Sequence, residues 1–260
     1  MKFINNGVEL YYKYVTHTNA KHTYIFLHGT GANHLQVEPQ FNYFAKNNNV
    51  VSLDLKGHGL SSKPDLEYTI EEYAKDVVLL VKQLKIEAPI IVGSSMGGSI
   101  AIEIASSFPE IPMALVLLDS SLLYPQHFLA TLHEVRNGLR QSNYIDVIKQ
   151  IYHMGCLPTD KFQAIMEEIL ISTPQNVWQS TLSNMLIWDE KKAKIALKNC
   201  TLPMLYIAAT NIIANLELFS ELCPQTIIAH TVGSGHLISV EVPDQINSMI
   251  EQFTKVYIEK

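Results

Sequence analysis

The feature that most constrains the fold of this chain is a rhythm, in which short apolar runs alternate with stretches of helical periodicity as far as Asp119. Tyr24 to Leu27, Val50 to Leu53, Pro89 to Val92 and Met113 to Leu118 are uninterrupted apolar runs of strand length, the signature of strands covered on both faces. Val8 to Val15 mixes apolar and polar residues like a half-exposed strand. Between these runs, Phe41, Phe44 and Ala45 recur at helical spacing. Ile70, Tyr73, Ala74, Val77, Val78, Val81 and Leu84 fall on one face of a longer helix. Thr69, with Glu72 three residues on, resembles a capping box for that helix. Ser99 to Phe108 reads as helix until Pro109 intervenes. Parallel neighbours need crossovers and the helices supply them, so the rhythm predicts an α/β fold with a mostly parallel sheet.

The rhythm stops after Asp119. From Leu122 to Lys198 the pattern is helical, with breaks near Pro125, Gly155, Pro158 and Pro174 that suggest about four helices. Strand character resumes at Pro203 to Ala208 and Thr226 to Val232, and Gln245 to Tyr257 reads as a closing helix. The chain therefore divides into a core, residues 1–121 and 199–260, and an inserted helical cap or lid, residues 122–198. Its hydrophobic fraction of 47% suffices for a substantial core.

Other classes are disfavoured. The 19 Lys and Arg against 25 Asp and Glu give a formal charge of −6, without a basic stripe, so nucleic acid is not an expected partner. No apolar stretch is long enough to span a bilayer, and the first residues lack the apolar run of a signal peptide. Cys156, Cys200 and Cys223 have no metal-ligand spacing and read as reduced thiols, which makes a cytoplasmic location the expectation. No metal or cofactor is implied, and the oligomeric state is not legible.

The segment Ile90-Ile91-Val92-Gly93-Ser94-Ser95-Met96-Gly97-Gly98 carries the most chemistry. It places G-x-S-x-G between a buried strand and a helix. A nucleophile at the tip of such a turn has strained backbone angles, and Gly93 and Gly97 remove side chains that would collide there. Ser95 then stands at a helix N-terminus, where negative charge is favoured and the Met96 N–H can donate to an oxyanion. The competing reading is a Gly-Ser-rich loop that cradles a phosphate, but the segment fits neither phosphate-loop pattern.

With Leu27-His28-Gly29-Thr30-Gly31, Asp54-Leu55-Lys56-Gly57-His58-Gly59-Leu60-Ser61 and Gly233-Ser234-Gly235-His236, the elbow makes four markers in order. Together they resemble the α/β-hydrolase superfamily, in its capped, esterase-like branch, over nearly the whole chain. The resemblance implies an eight-stranded, mostly parallel sheet with a helical cap over its carboxyl edge. It assigns His236, followed by Glu241 and Pro243, as the base that takes the Ser95 proton. It makes the Thr30 N–H the second oxyanion donor, and leaves His28 and His58 as loop supports and Asp54 as a loop-shaping residue.

The acid departs from the family pattern. The usual site follows the strand that begins at Pro203, where this chain has Ala209-Thr210-Asn211-Ile212 and no carboxylate. Asn211 has an amide oxygen for the imidazole but no charge, and losing that charge can cost about 10⁴ in turnover. Asp119, after the earlier strand, keeps the order Ser, Asp, His and is the favoured acid; the alternative is that it caps the following segment with Ser120 and Ser121. The expected activity is hydrolysis of a carboxylic ester, thioester or lactone with a small, largely apolar acyl group. Carbon–carbon bond hydrolysis with the same residues, and a non-catalytic ligand-binding protein lacking an acid, remain alternatives. Met154, Phe162, Met166, Trp178, Met185 and Trp188 either line a pocket in the cap or pack its helices together.

Overall fold

A computed structural model describes residues 1–5, 7–120, 122–159, 163–165, 167–168 and 172–259. Its centre is an eight-stranded sheet in the order β1-β2-β4-β3-β5-β6-β7-β8. β1 (Lys2–Asn5) and β2 (Val8–Val15) form an antiparallel hairpin, and β2 runs antiparallel to β4 (Asn49–Leu53). From β4 onward every pairing is parallel, through β3 (Thr23–Leu27), β5 (Ile90–Ser94), β6 (Ala114–Leu118), β7 (Met204–Ala208) and β8 (Thr226–His230). The expected eight-stranded, mostly parallel sheet is therefore present.

Helices cover both faces. Against one, α1 (Glu38–Phe44) and α9 (Pro243–Phe253) bury Phe41, Phe44, Ile246 and Ile250 on Tyr24, Phe26, Val92 and Val116. The other carries α2 (Ile70–Gln83), α3 (Met96–Ser107), α7 (Lys194–Asn199) and α8 (Leu216–Leu222). The helical face read along α2 is buried from Ile70 to Val81, with Leu84 half-buried as its C-cap. The Thr69 hydroxyl accepts the Glu72 N–H, supplying the side-chain cap.

Several boundaries differ from the sequence reading. α3 begins at Met96 instead of Ser99, because the turn at Ser95 leads straight into the helix. β8 stops at His230, where its pairing with β7 ends. The closing helix begins at Pro243, whose fixed φ suits a first helical position, and passes into a π turn over Thr254–Ile258. β1 and α8 were not expected: each is too short for a periodic signal and is held by its tertiary neighbours.

Between β6 and β7 lie α4 (Gln126–Gly138), α5 (Tyr144–Gly155), α6 (Gln175–Trp188) and a π turn over Asp189–Ala193 leading into α7. Pro125 and Pro174 are the N-caps of α4 and α6, where the sequence placed breaks.

What matters for chemistry is the carboxyl edge of the sheet. The chain leaves β3 for β4 on one side and returns to β5 on the other, so the strand order reverses beside β5. Open α/β sheets bind ligands in the crevice outside such a reversal. Ser95 follows β5 at that point.

Candidate active site

Ser95 has φ 53° and ψ −120°, a region that costs a non-glycine residue about 1–3 kcal/mol. The surroundings over-determine it. The Ser95 N–H donates to the Leu118 carbonyl at 3.0 Å and its carbonyl accepts the Gly98 N–H at 3.0 Å. A Cβ on Gly93 would lie 2.2 Å from the Gly97 carbonyl oxygen, and one on Gly97 2.4 Å from that of Leu27. Both glycines are thus required by close backbone approach, as the motif implied. Met96 is the first residue of α3, so its N–H is among those a helix leaves without an intrahelical acceptor.

His236 Nε2 lies 3.0 Å from Ser95 Oγ, and His236 Nδ1 lies 2.6 Å from Asp119 Oδ2. A carboxylate only accepts, so Nδ1 carries the hydrogen and Nε2 is left to accept from the serine hydroxyl. Asp119 is fully buried, and its backbone stands at φ 41° immediately after β6. Its N–H donates to the Ile207 carbonyl at 2.8 Å, and its Oδ1 accepts the Ala209 N–H at 3.0 Å. The carboxylate is therefore clamped between the ends of two strands with one oxygen aimed at the imidazole.

The alternative assignments fare differently. Asn211 is exposed at the rim of the cavity described below, while the aspartate takes the position on Nδ1. Capping of the segment after Asp119 falls to a residue the sequence did not single out. Asp189 accepts the Leu123 N–H at 2.5 Å and the Tyr124 N–H at 3.4 Å from the far side of the helical segment. Burial pushes the Asp189 carboxyl above its usual range. The Ser120 hydroxyl turns instead to the Gly93 carbonyl, and Ser121 lies outside the described residues. No local pattern announces Asp189, because the amides it satisfies are more than sixty residues away.

The loop after β3 is organised around His28. Its Nε2 accepts the Leu55 N–H at 3.0 Å, so Nδ1 carries the hydrogen and donates to the Gly29 carbonyl at 2.8 Å. Burial lowers the His28 pKa to about 4, keeping the ring neutral in that tautomer. The Gly29 carbonyl also accepts the Ala32 N–H at 3.2 Å. A peptide is planar and trans, so these two bonds turn the Thr30 N–H the opposite way. A Cβ on Gly29 would stand 2.9 Å from Ser95 Cβ, so this peptide packs directly against the Ser95 turn.

The remaining marker residues support loops. Asp54 accepts the His34 N–H at 2.7 Å and the Leu60 N–H at 2.8 Å. The buried His58 donates from Nδ1 to the Lys56 carbonyl. Glu241 accepts the Gly235 N–H with one carboxylate oxygen and the Leu157 N–H with the other, at 2.6 and 2.7 Å.

A cavity of about 300 Å³ opens beside Ser95 and His236. Thr30, Tyr124, Phe128, Leu182 and Met185 are among its walls, and none of the described residues lining it is Lys, Arg, Asp or Glu. Of the apolar residues singled out in the helical segment, Met154, Trp178 and Met185 line this space. Trp188 does not; it is buried against α3, where its indole N–H donates to Glu103 at 2.7 Å. Phe162 and Met166 lie outside the described residues. Among the described residues, no cluster of His, Cys, Asp and Glu is arranged to hold a metal, and no helix is long and apolar enough to cross a membrane.

Residues 25–156 match the family described as the alpha/beta hydrolase fold, and the chain belongs to that family. It is 30% identical over 95 residues to a 2-(acetamidomethylene)succinate hydrolase of Mesorhizobium japonicum, a match covering 36% of this chain and 34% of that protein. It thus spans about a third of that relative's length. An AB hydrolase superfamily protein of Bacillus subtilis, YisY, is 27% identical over 88% of this chain and 90% of its own. The enol-lactonase of Burkholderia xenovorans LB400 superposes with a TM-score of 0.84 over 98% of this chain and all (100%) of that one, at 18% identity, which shows a shared fold.

Proposed function

We propose that this protein is a serine hydrolase that cleaves an ester, thioester or lactone with a small, largely apolar acyl group. The observation that carries the reading is the hydrogen-bond chain Ser95 Oγ–His236–Asp119 at 3.0 and 2.6 Å. In the proposed reaction the Ser95 oxygen attacks the substrate carbonyl while His236 Nε2 takes the hydroxyl proton. Asp119 fixes the imidazole tautomer and stabilises the imidazolium that forms. The carbonyl oxygen becomes an oxyanion, which the Met96 and Thr30 N–H groups receive. The leaving group departs with the proton from His236, giving an acyl-serine. Water, deprotonated by the same nitrogen, then releases the acid and restores Ser95.

The cavity walls support the substrate class. A charged group entering this space would lose its hydration, and the described lining offers no ionised partner in return. The Mesorhizobium protein is named for a succinate, a dianion; we place the substrate of this chain among uncharged acyl compounds. In this reading residues 122–198 form a cap over the site.

The test is covalent labelling with a fluorophosphonate. Label should appear on the wild type and on His133→Ala, whose histidine is exposed on α4, and be absent from Ser95→Ala. An unlabelled wild-type protein overturns the proposal in favour of a ligand-binding protein on this fold.

A further inference from the structure

The last turn of α5 touches two parts of the proposed machinery. Tyr152 donates its hydroxyl to the Thr30 carbonyl at 2.9 Å, and one turn later the Gly155 carbonyl accepts the His236 N–H at 2.6 Å. The next residues continue the second contact. Leu157 donates to Glu241, the same carboxylate that holds Gly235, and a Cβ on Gly235 would lie 2.7 Å from Cys156 Cα. One short stretch of the helical segment is thus bonded to the loop carrying Thr30 and to the loop carrying His236.

The need for a brace at Thr30 is local. Gly31 has φ +71°, a conformation open to glycine, so the chain just beyond Thr30 has more than ordinary rotational freedom. The His28 bond fixes the Gly29–Thr30 peptide, while the following peptide presents its carbonyl to Tyr152. The Thr173 hydroxyl holds the Gly31 carbonyl at 2.9 Å, and the Trp178 ring closes over Gly31, 1.8 Å from where a Cβ would stand. Tyr152 and Trp178 meet edge to face with ring centroids 6.4 Å apart, and both line the cavity. Burial pushes the Tyr152 phenol above its usual range, so it remains a donor at any working pH.

We infer that Tyr152 is a positioning residue for the oxyanion-binding loop, and that the end of α5 ties this loop to the loop of the base. The inference rests on the hydrolase reading above. Since Tyr152 grips the loop with its hydroxyl while its ring forms cavity wall, an acyl chain packed on that ring steadies the oxyanion donor. Binding energy from the chain is thereby expressed in kcat, as expected when it is realised in the transition state.

The experiment is Tyr152→Phe, which keeps the ring and removes the hydroxyl. We expect kcat for an aryl ester to fall about tenfold with KM within twofold, the loss of one bond that acts through a donor. Affinity for an aryl trifluoromethyl ketone, whose adduct with Ser95 carries an oxyanion, should fall by a similar factor. Affinity for the product acid should be unchanged. Unchanged kcat, or a raised KM alone, would make Tyr152 only a wall of the cavity and overturn the inference. Should Tyr152→Phe fail to fold, Thr173→Val, which frees the adjacent Gly31 carbonyl, must show the same split between kcat and KM. A wild type without esterase activity or label defeats the hydrolase reading itself; an active wild type with an unaffected Tyr152→Phe defeats only this inference.

Discussion

The ends of β6 and β7 are neighbours in the sheet, in register from Leu115 opposite Met204 to Leu118 opposite Ile207, yet they have opposite characters. β6 ends in Asp119, fully buried, with a left-handed backbone and its carboxylate bonded on both oxygens. β7 runs on into Thr210, Asn211 and Ile212, all exposed. In the pattern that the sequence resembles, the acid follows the second of these strands; here a carboxylate from the first meets the imidazole. The two positions are interchangeable because the histidine senses a carboxylate at Nδ1 and not the strand that delivers it. What the β6 position requires is a sharp turn, and the φ of 41° at Asp119 provides it. The Ile207 carbonyl and the Ala209 N–H hold that turn from β7, so the second strand holds the Asp119 carboxylate without supplying one of its own.

Removing the charge tests this comparison hardest. Asp119→Asn should lower kcat for an ester by about 10⁴, since the amide can place a donor toward Nδ1 and cannot stabilise an imidazolium. Steady-state kinetics showing wild-type turnover in that variant would return the acid to another residue.

A smaller effect is expected where the turns of β5 and β6 pack together. A Cβ on Gly98 would come within 1.9 Å of Ser120 Oγ and 2.4 Å of its Cβ. Gly98→Ala should cost about 1–3 kcal/mol in denaturant unfolding, the range for overpacking a tight core. Ser120→Gly in the same chain should recover much of it; no recovery would place the strain elsewhere.

The loops after β3 and β4 carry buried histidines where the turn after β6 carries a buried carboxylate. His28 and His58 are buried neutral with pKa values lowered by burial to about 4 and about 3, against 6.5 in the unfolded chain. Below pH 6.5 the unfolded chain binds protons at these imidazoles that the folded chain refuses. Their contribution is complete above pH 6.5 and declines as pH falls toward 4 and then 3. The unfolding midpoint measured across that window should drop, and less steeply in His58→Asn.

The smallest effect belongs to the other half of the opening comparison. Asn211→Ala should leave kcat within about twofold, because Asn211 only borders the cavity. A loss near that of Asp119→Asn would show that both strand ends orient the base.

The parallel strands, the helices α2 and α3, the serine turn and the histidine loop were legible because each makes a local demand that residues record. Apolar runs mark strands buried on two faces, and glycine marks backbone packed against backbone, as Gly93 and Gly97 are. Boundaries were less legible: α3 starts at Met96 because the strained Ser95 turn directs it, not because of residue periodicity. Asp189 and Tyr152 left no trace, since an isolated acid or tyrosine in a helical stretch looks alike whether it meets solvent or a distant backbone group.

The sequence by itself determined that Ser95 sits on a strained strand-to-helix turn and that His236 follows the last strand in a glycine-flanked loop. It favoured Asp119 over Asn211, since only a carboxylate can stabilise an imidazolium, but it could not tell which strand end reaches the histidine, because aspartate and asparagine both suit the turn after a strand. The contact of the Asp119 carboxylate with His236, the apolar walls of the cavity and the grip of α5 on two loops came from tertiary structure alone. Asp119 and His236 stand 117 positions apart, and only the pairing of β6, β7 and β8 brings one to the other.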